Sequence, residues 1–358
     1  MSLSIGIVGL PNVGKSTLFN ALTDSNILAA NYPFATIEPN TGIVPVPDER
    51  LTKLSELYGN APIKPATVTF VDIAGLVAGA SKGEGLGNKF LANIRECDAI
   101  IHVVRAFEGG DVVHVLDTVD PKNDIEVINT ELILADLQTI DGRLPKLAKE
   151  GKADPKKRGV ASYLESLKRH LDAGTPLSAL PSLDLELIRD LHLLTAKPVI
   201  YVFNVDENTL GSDERVTELR NLVSPAASIF ISAKLEEELR GLDKAEAREL
   251  LESYGFKEAG LEQLVRVAYQ TLGLQSYLTA GEKEVRAWTI HQGATAPQAA
   301  GVIHGDFERG FIAADVVNCP DLLTAGSLHA ARTAGKVRTE GKTYVVQPND
   351  VIEFKFNV

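Results

Sequence analysis

Residues 9–17 read Gly9-Leu-Pro-Asn12-Val13-Gly14-Lys15-Ser16-Thr17. The spacing fits G-x-x-x-x-G-K-S, a loop whose glycines let successive backbone N–H groups wrap phosphates. Lys15 would reach the β- and γ-phosphates, and the Ser16 hydroxyl would ligate Mg²⁺. The helix that follows would turn its positive end toward the same anion. Downstream, Asp72-Ile-Ala-Gly75 closes an apolar stretch. Its aspartate would hold Mg²⁺ through water, and the Gly75 amide would sense the γ-phosphate. Thr36, in a polar loop bounded by prolines, is the candidate for a further Mg²⁺ ligand, with Thr41 as the alternative. Gly79, Gly83, Gly85 and Gly87 suggest a switch loop able to order around a γ-phosphate.

The base site departs from the guanine-specific pattern Asn-Lys-x-Asp. The chain has Asn204-Val205-Asp206-Glu207. Valine replaces the lysine whose stem would cover the base, and glutamate moves the carboxylate by a methylene. A hydrogen-bond pattern rejects a wrong base only when its groups are correctly placed, so guanine selectivity should suffer. Asn204 could still pair with an adenine edge. Ser232-Ala233-Lys234 would line the base with backbone. ATP is therefore expected over GTP. Leu76 stands where many such enzymes carry a water-orienting glutamine. In a P-loop topology the loop 105–116 overhangs the nucleotide. There Phe107 could contact the base. His114 either positions the attacking water or is a surface histidine. Asn12 either helps hold a monovalent cation such as K⁺ or forms an Asx turn. His102 and the two cysteines, Cys97 and Cys319, read as core residues.

These residues need elements to hold them. Short β-branched runs at 3–9, 66–73, 99–104, 198–204 and 228–231 alternate with helical stretches, which implies parallel βαβ units. Between 104 and 198 the chain is too long for a crossover. Ile133, Leu137, Ile140, Leu144 and Leu147 form a heptad seam, matched by Val160, Leu164, Leu167 and Leu171 after a turn near 151–159. This predicts an inserted α-hairpin, with Pro145 kinking or shortening its first arm. Two helices are expected over 245–272. Beyond 274, strands at 285–290, 312–317, 343–347 and 351–356 and a helix at 296–303 predict a small α+β domain.

The chain has 358 residues, a formal net charge of −12 and 44% hydrophobic residues, an ordinary globular composition. At roughly 150 residues per domain, two or three domains are expected. The acidic balance argues against coating nucleic acid by bulk charge. Two cysteines exclude a disulfide framework. No apolar run approaches the ~18 residues of a membrane span, and no signal-peptide pattern opens the chain, so a cytoplasmic protein with no membrane partner is expected. Locally the balance reverses. Residues 145–173 hold eight Lys/Arg against four acids, a basic patch at the expected hairpin tip that could touch RNA at one place.

Together the phosphate loop, Asp72-Ile-Ala-Gly75-Leu76, Asn204-Val-Asp-Glu207, Val285-Arg-Ala-Trp-Thr-Ile and Gly293-Ala-Thr-Ala-Pro-Gln-Ala-Ala-Gly301 resemble the YchF family. This is an Obg-related family of the translation-factor class of P-loop proteins. The resemblance spans essentially the whole chain. It implies an α/β P-loop NTPase domain (1–124 and 196–273), an inserted α-helical coiled-coil hairpin (125–195) and a C-terminal β-grasp (TGS) domain (274–358). It also implies ATP preference, Mg²⁺ dependence, potassium stimulation and ribosome association, with the hairpin tip and the TGS domain as expected contacts. In this family a hydrophobic residue replaces the catalytic glutamine, as Leu76 does. The family's proposed catalytic histidine falls at His114, and its adenine-site residue at Val205, through the backbone. Expected overall is a ribosome-associated ATPase switch. The alternatives are a GTPase with relaxed base specificity and a non-catalytic, nucleotide-gated ribosome- or RNA-binding module.

Overall fold

The computed structural model describes residues 3–24, 40–73, 86–107, 119–239, 242–254, 256 and 258–357. The chain divides into two compact units, Met1–Val44 with Thr69–Leu264, and Pro45–Val68 with Val265–Val358. Thr36, Gly75, Leu76, Gly79, Gly83, Gly85 and His114 lie outside the described residues.

In chain order the first elements are β1 (Ser4–Val8), α1 (Lys15–Asp24), β2 (Thr41–Pro45), α2 (Glu49–Leu57), β3 (Ile63–Lys64), β4 (Thr67–Asp72), α3 (Leu86–Glu96) and β5 (Ala99–Arg105). Then come α4 (Pro121–Glu150), α5 (Pro155–Asp172), α6 (Leu185–Ile188), β6 (Val199–Asn204), α7 (Glu207–Leu210), α8 (Asp213–Val223), β7 (Ala227–Ile231), α9 (Ala233–Leu239), α10 (Lys244–Ser253) and α11 (Gly260–Thr271). The first unit's sheet runs β2-β4-β1-β5-β6-β7. From β4 to β7 its neighbours are parallel. Every residue of β5 is buried, as a strand covered on both faces must be. The parallel strands bring their carboxyl ends to one edge, where α/β proteins bind ligands. As expected, β5 lies between the phosphate-loop strand β1 and the base-motif strand β6.

The heptad seam forms. Ile133, Ile140 and Leu147 of α4 share a buried cluster with Leu164, Leu167 and Leu171 of α5, and Leu137, Leu144 and Val160 pack against it. Two expectations change. Pro145 sits inside an uninterrupted α4 of 30 residues and does not end it. A mid-helix proline costs ~3 kcal/mol, and the seam continues beyond it. Burial of Leu147, 4% exposed, with Leu144 half-buried beside it, offsets a cost of that size, at about 1.5–3 kcal/mol per fully buried leucine. The hairpin is also not a bare pair of helices. Leu177, Ile188 and Leu193, from the returning chain, join its core.

A buried polar junction fixes the hairpin root. Asp136, fully buried, accepts from Leu194 N at 2.8 Å, Thr195 N at 2.8 Å and Thr195 Oγ1 at 2.7 Å. Two residues on, Lys197 donates to the carbonyls of Arg95 and Cys97 at the end of α3. Arg95 in turn donates to Thr139 Oγ1 of α4 at 3.3 Å.

The second unit adds β8 (Leu274–Ala280), β9 (Val285–His291), α12 (Ala296–Ile303), α13 (Gly305–Arg309), β10 (Phe311–Asn318), α14 (Cys319–Ala325), α15 (Leu328–Thr333), β11 (Arg338–Glu340) and β12 (Asp350–Phe356). Its mixed sheet runs β11-β10-β12-β8-β9-β3. Ala296, Ala299 and Ala300 of α12 pack on Tyr277, Phe311 and Ile352 of the sheet, and Tyr277 Oη donates to Ala299 O at 3.0 Å. A helix held across a mixed sheet fits a β-grasp arrangement. β3 extends this sheet in parallel with β9, Ile63 opposite Val285. Arg50 of α2 donates to Pro348 O and Asn349 Oδ1. The strand expected at 343–347 does not form; Val345 makes one isolated bridge, with Thr295. The segment folds on Asp350 instead, whose Oδ2 accepts from Tyr344 Oη and Gln347 N, both at 2.8 Å. Among the described residues, no helix is long and apolar enough to cross a membrane.

Candidate functional site

The phosphate loop leaves β1 at Gly9, where close packing dictates the residue. A Cβ there would lie 2.7 Å from the Val103 carbonyl oxygen. Asn12 (φ 64) and Gly14 (φ 95) both adopt left-handed backbone, which glycine and asparagine tolerate best. Val13 between them is buried and anchors the loop. Gly14 O accepts from Leu18 N at 2.9 Å, so the loop runs directly into α1. Ser16 and Thr17 are exposed in its first turn, where free N–H groups and the helix dipole favour anions.

Lys15 Nζ is ion-paired with Asp72 Oδ1 at the end of β4. The sequence expects both beside the same phosphates, and the fold brings them into contact across 57 residues. The residues present fit Mg²⁺. This hard ion takes oxygen donors, keeps several waters and needs few protein ligands. An exposed Ser16 hydroxyl and the Asp72 carboxylate, both beside the phosphate loop, are such donors. Among the described residues, no group of three or more His, Cys, Asp or Glu is placed to hold a metal by itself.

Asn204 sits where the phosphate loop and the base loop meet. Its Nδ2 donates to Val13 O at 3.1 Å, and its Oδ1 accepts from Ala233 N at 3.3 Å. Its carbonyl accepts from Ala106 N at 2.8 Å. The sequence left Asn204 able to pair with an adenine edge. In the fold its amide is committed first to the protein, as a brace between two loops, with one amide proton and one lone pair left over. Gly14 must be glycine for this reason as well, since a Cβ there would collide with Asn204 Nδ2.

The remaining base-site residues fall around this brace. Val205 is buried and its N–H donates to Ile231 O at 2.9 Å, so its side chain serves the core. Ser232 caps α9, its Oγ accepting from Leu235 N at 3.3 Å. Gly14, Leu18, Asn204, Ile231 and Ala233 line one small crevice. Phe107 is half-buried, its ring 4.4 Å from the Arg105 guanidinium.

Two contacts escape sequence reasoning because they join distant segments. Lys234 Nζ lies 3.2 Å from Glu207 Oε1. A bond from its own backbone N–H, then Lys234, holds the Glu207 carboxyl below its ordinary range. Glu236, one turn along α9, accepts from Leu261 N at 3.3 Å at the start of α11. Burial pushes its carboxyl up to about 7. His102, by contrast, is a core residue. It lies beside Tyr201, with ring centroids 5.3 Å apart, and burial lowers its pKa to about 3.

Comparison with known proteins agrees with this architecture. Residues 4–141 match the 50S ribosome-binding GTPase family. Residues 274–357 match the YchF-GTPase C-terminal family, described as a protein of unknown function. The chain is similar to the ribosome-binding ATPase YchF of Bacillus subtilis (strain 168), 50% identical over 366 residues and the full length of both. It is likewise similar to that of Haemophilus ducreyi, 52% identical over 363 residues and again the full length of both. Among solved structures, the YchF GTPase of Schizosaccharomyces pombe superposes with a TM-score of 0.88 at 39% identity, covering 99% of this chain and 98% of that one. With full-length identity of this order, a P-loop unit and a matched C-terminal unit, the chain belongs to the YchF family.

Proposed function

We propose that this chain is a Mg²⁺-dependent P-loop ATPase that associates with the ribosome and uses ATP hydrolysis as a conformational switch. The observation that carries the reading is the Lys15–Asp72 pair beside a phosphate loop held open by Asn12 and Gly14. The relatives' names as ribosome-binding ATPases support it. Ribosome association would place the protein in the cytoplasm.

Mg²⁺, held by Ser16, Asp72 and Thr36, would supply charge stabilisation on the β- and γ-phosphates. Lys15 and the N-terminus of α1 add fixed positive charge to the same oxygens. Asn204 holds the phosphate loop and the Ser232–Lys234 loop in register, so triphosphate and base are positioned together. Glutamate in place of aspartate and valine in place of lysine favour ATP, with GTP a secondary substrate. Leu76 cannot orient water. We assign that role to His114 and monovalent-cation binding to Asn12, with K⁺ the expected ion. Gly75 and the glycines after it would follow the γ-phosphate.

The hairpin tip is the proposed RNA contact, alongside the TGS domain. Lys146, Lys149, Lys152 and Lys156 are exposed there and, among the described residues, carry no ion pair. Calorimetric titration with ATP and GTP, with and without K⁺, tests the nucleotide. Equal affinities would favour the relaxed GTPase. Ribosomes that bind tightly without changing turnover would favour a passive nucleotide-gated module. His114→Ala with unchanged turnover and affinity would dismiss the histidine.

A further inference from the structure

Guanine and adenine differ at three places on one edge. Guanine offers N–H donors at N1 and N2 and an acceptor at O6; adenine offers an amino donor and a bare ring nitrogen. A site that selects guanine therefore wants a carboxylate for the donors and a cation or N–H for O6. The chain has both groups at the base site. Glu207 lies three residues after Asn204, and Lys234 lies one residue after Ala233. Both are tethered to the Asn204 brace, which joins Val13 to Ala233. They face each other, with Lys234 Nζ 3.2 Å from Glu207 Oε1 across 27 residues of sequence.

We propose that the Lys234–Glu207 pair sets base specificity by masking the carboxylate that would otherwise accept guanine's N–H groups. The proposal rests on ATP being the preferred nucleotide and gives that preference a physical cause beyond the substitution of glutamate for aspartate. Each member of the pair is neutralised by the other, so neither is available to a guanine edge. Adenine has no N1–H and no O6, and loses nothing by the pairing. Asp206 does not take over, because its Oδ1 caps α7 by accepting from Thr209 N at 2.7 Å. Glu238, one turn along α9, places a second carboxylate 3.9 Å from Lys234 Nζ.

The test is competition binding of ATP and GTP to the full-length protein and to four variants. Lys234→Met should shift the ATP:GTP affinity ratio toward GTP by about fivefold, the upper range for an exposed ion pair. Lys234→Arg, which keeps the pair, should keep the wild-type ratio. Lys234→Met combined with Glu207→Gln should return toward it, because no carboxylate remains to unmask, and Glu207→Gln alone should not improve GTP. A merely structural lysine would weaken both nucleotides alike and leave the ratio fixed. An unmoved ratio in Lys234→Met overturns the proposal while ATP preference stands. A wild-type protein without ATP preference overturns both.

Discussion

Lys15 of the phosphate loop and Asp72 at the end of β4 hold one another in an ion pair, with side chains only 10% and 18% exposed. The ammonium that should reach the phosphates is thus held by the carboxylate that should serve Mg²⁺. On the proposed function, nucleotide and Asp72 would compete for Lys15, and Mg²⁺ would relieve the competition by engaging the carboxylate. Asp72→Asn should therefore abolish most of the Mg²⁺ dependence of ATP binding while leaving binding in EDTA unchanged or tighter. Lys15→Met should weaken ATP roughly tenfold or more, the loss expected for a charge-assisted bond. Titrations with and without Mg²⁺ read both. Full Mg²⁺ dependence in Asp72→Asn would contradict this account.

Asn204 predicts a different signature. Asn204→Ala removes a brace that leaves the Val13 carbonyl and Ala233 N–H without their partner. The expected loss is about 1–3 kcal/mol of binding, shared equally by ATP and GTP because the bonds are made to the protein. A selective loss of ATP would show that the amide reads the base.

At the hairpin root, Asp136→Ala should destabilise the protein by about 2–4 kcal/mol, since three donors lose one buried acceptor. Urea denaturation should show the midpoint falling with its slope preserved. A wild-type midpoint would mean that water replaces the carboxylate at no cost.

Glu236 gives a pH dependence whose sign follows from its environment. Burial raises its carboxyl to about 7 from the ordinary 4.5. Its contribution to stability is fully present below pH 4.5 and is lost as pH rises through about 7. Against Glu236→Gln, which cannot titrate, the wild-type protein should lose up to about 3 kcal/mol across that window. Unfolding free energies of the two proteins from pH 4.5 to 8 measure it. A constant difference would mean that Glu236 is ionised throughout.

At the hairpin tip, replacing Lys156, Lys157 and Arg158 by Gln should weaken ribosome binding and flatten its salt dependence. Each phosphate contact contributes a slope of about 0.7–0.9. Lys157 already pairs with Glu150 at 2.7 Å, so a total change of about 1.5 is expected rather than about 2.5. An unchanged slope would move the contact elsewhere.

Much of this was legible in the residues because the signals were local or periodic. The phosphate loop is a contiguous motif, the β5 run 99–104 is apolar but for His102, and the α4–α5 seam repeats every seven residues. What escaped was either short or distant. β3 is two residues long, Ile63 and Lys64, too few to show alternation. The stretch 343–347 has strand composition, but Asp350 offers it hydrogen bonds that a ladder would otherwise supply. Pro145 carries a strong local penalty that burial beyond it overrides. Asn204 looked like a base reader because its amide could bond a purine; that it bonds Val13 and Ala233 depends on loops 191 and 29 residues away.

The assignment of Pro45–Val68 to the second unit has a consequence for dissecting the molecule. The chain enters the second fold from β2, contributes α2 and β3, and only then supplies β4 with its Asp72. The C-terminal fold is consequently no detachable cassette. A truncation near residue 265 would remove β9 and α14, against which α2 packs, from a segment tied at both ends to the nucleotide sheet. Recombination that swaps such a module between proteins would have to exchange two stretches at once. The two folds are interleaved along the chain.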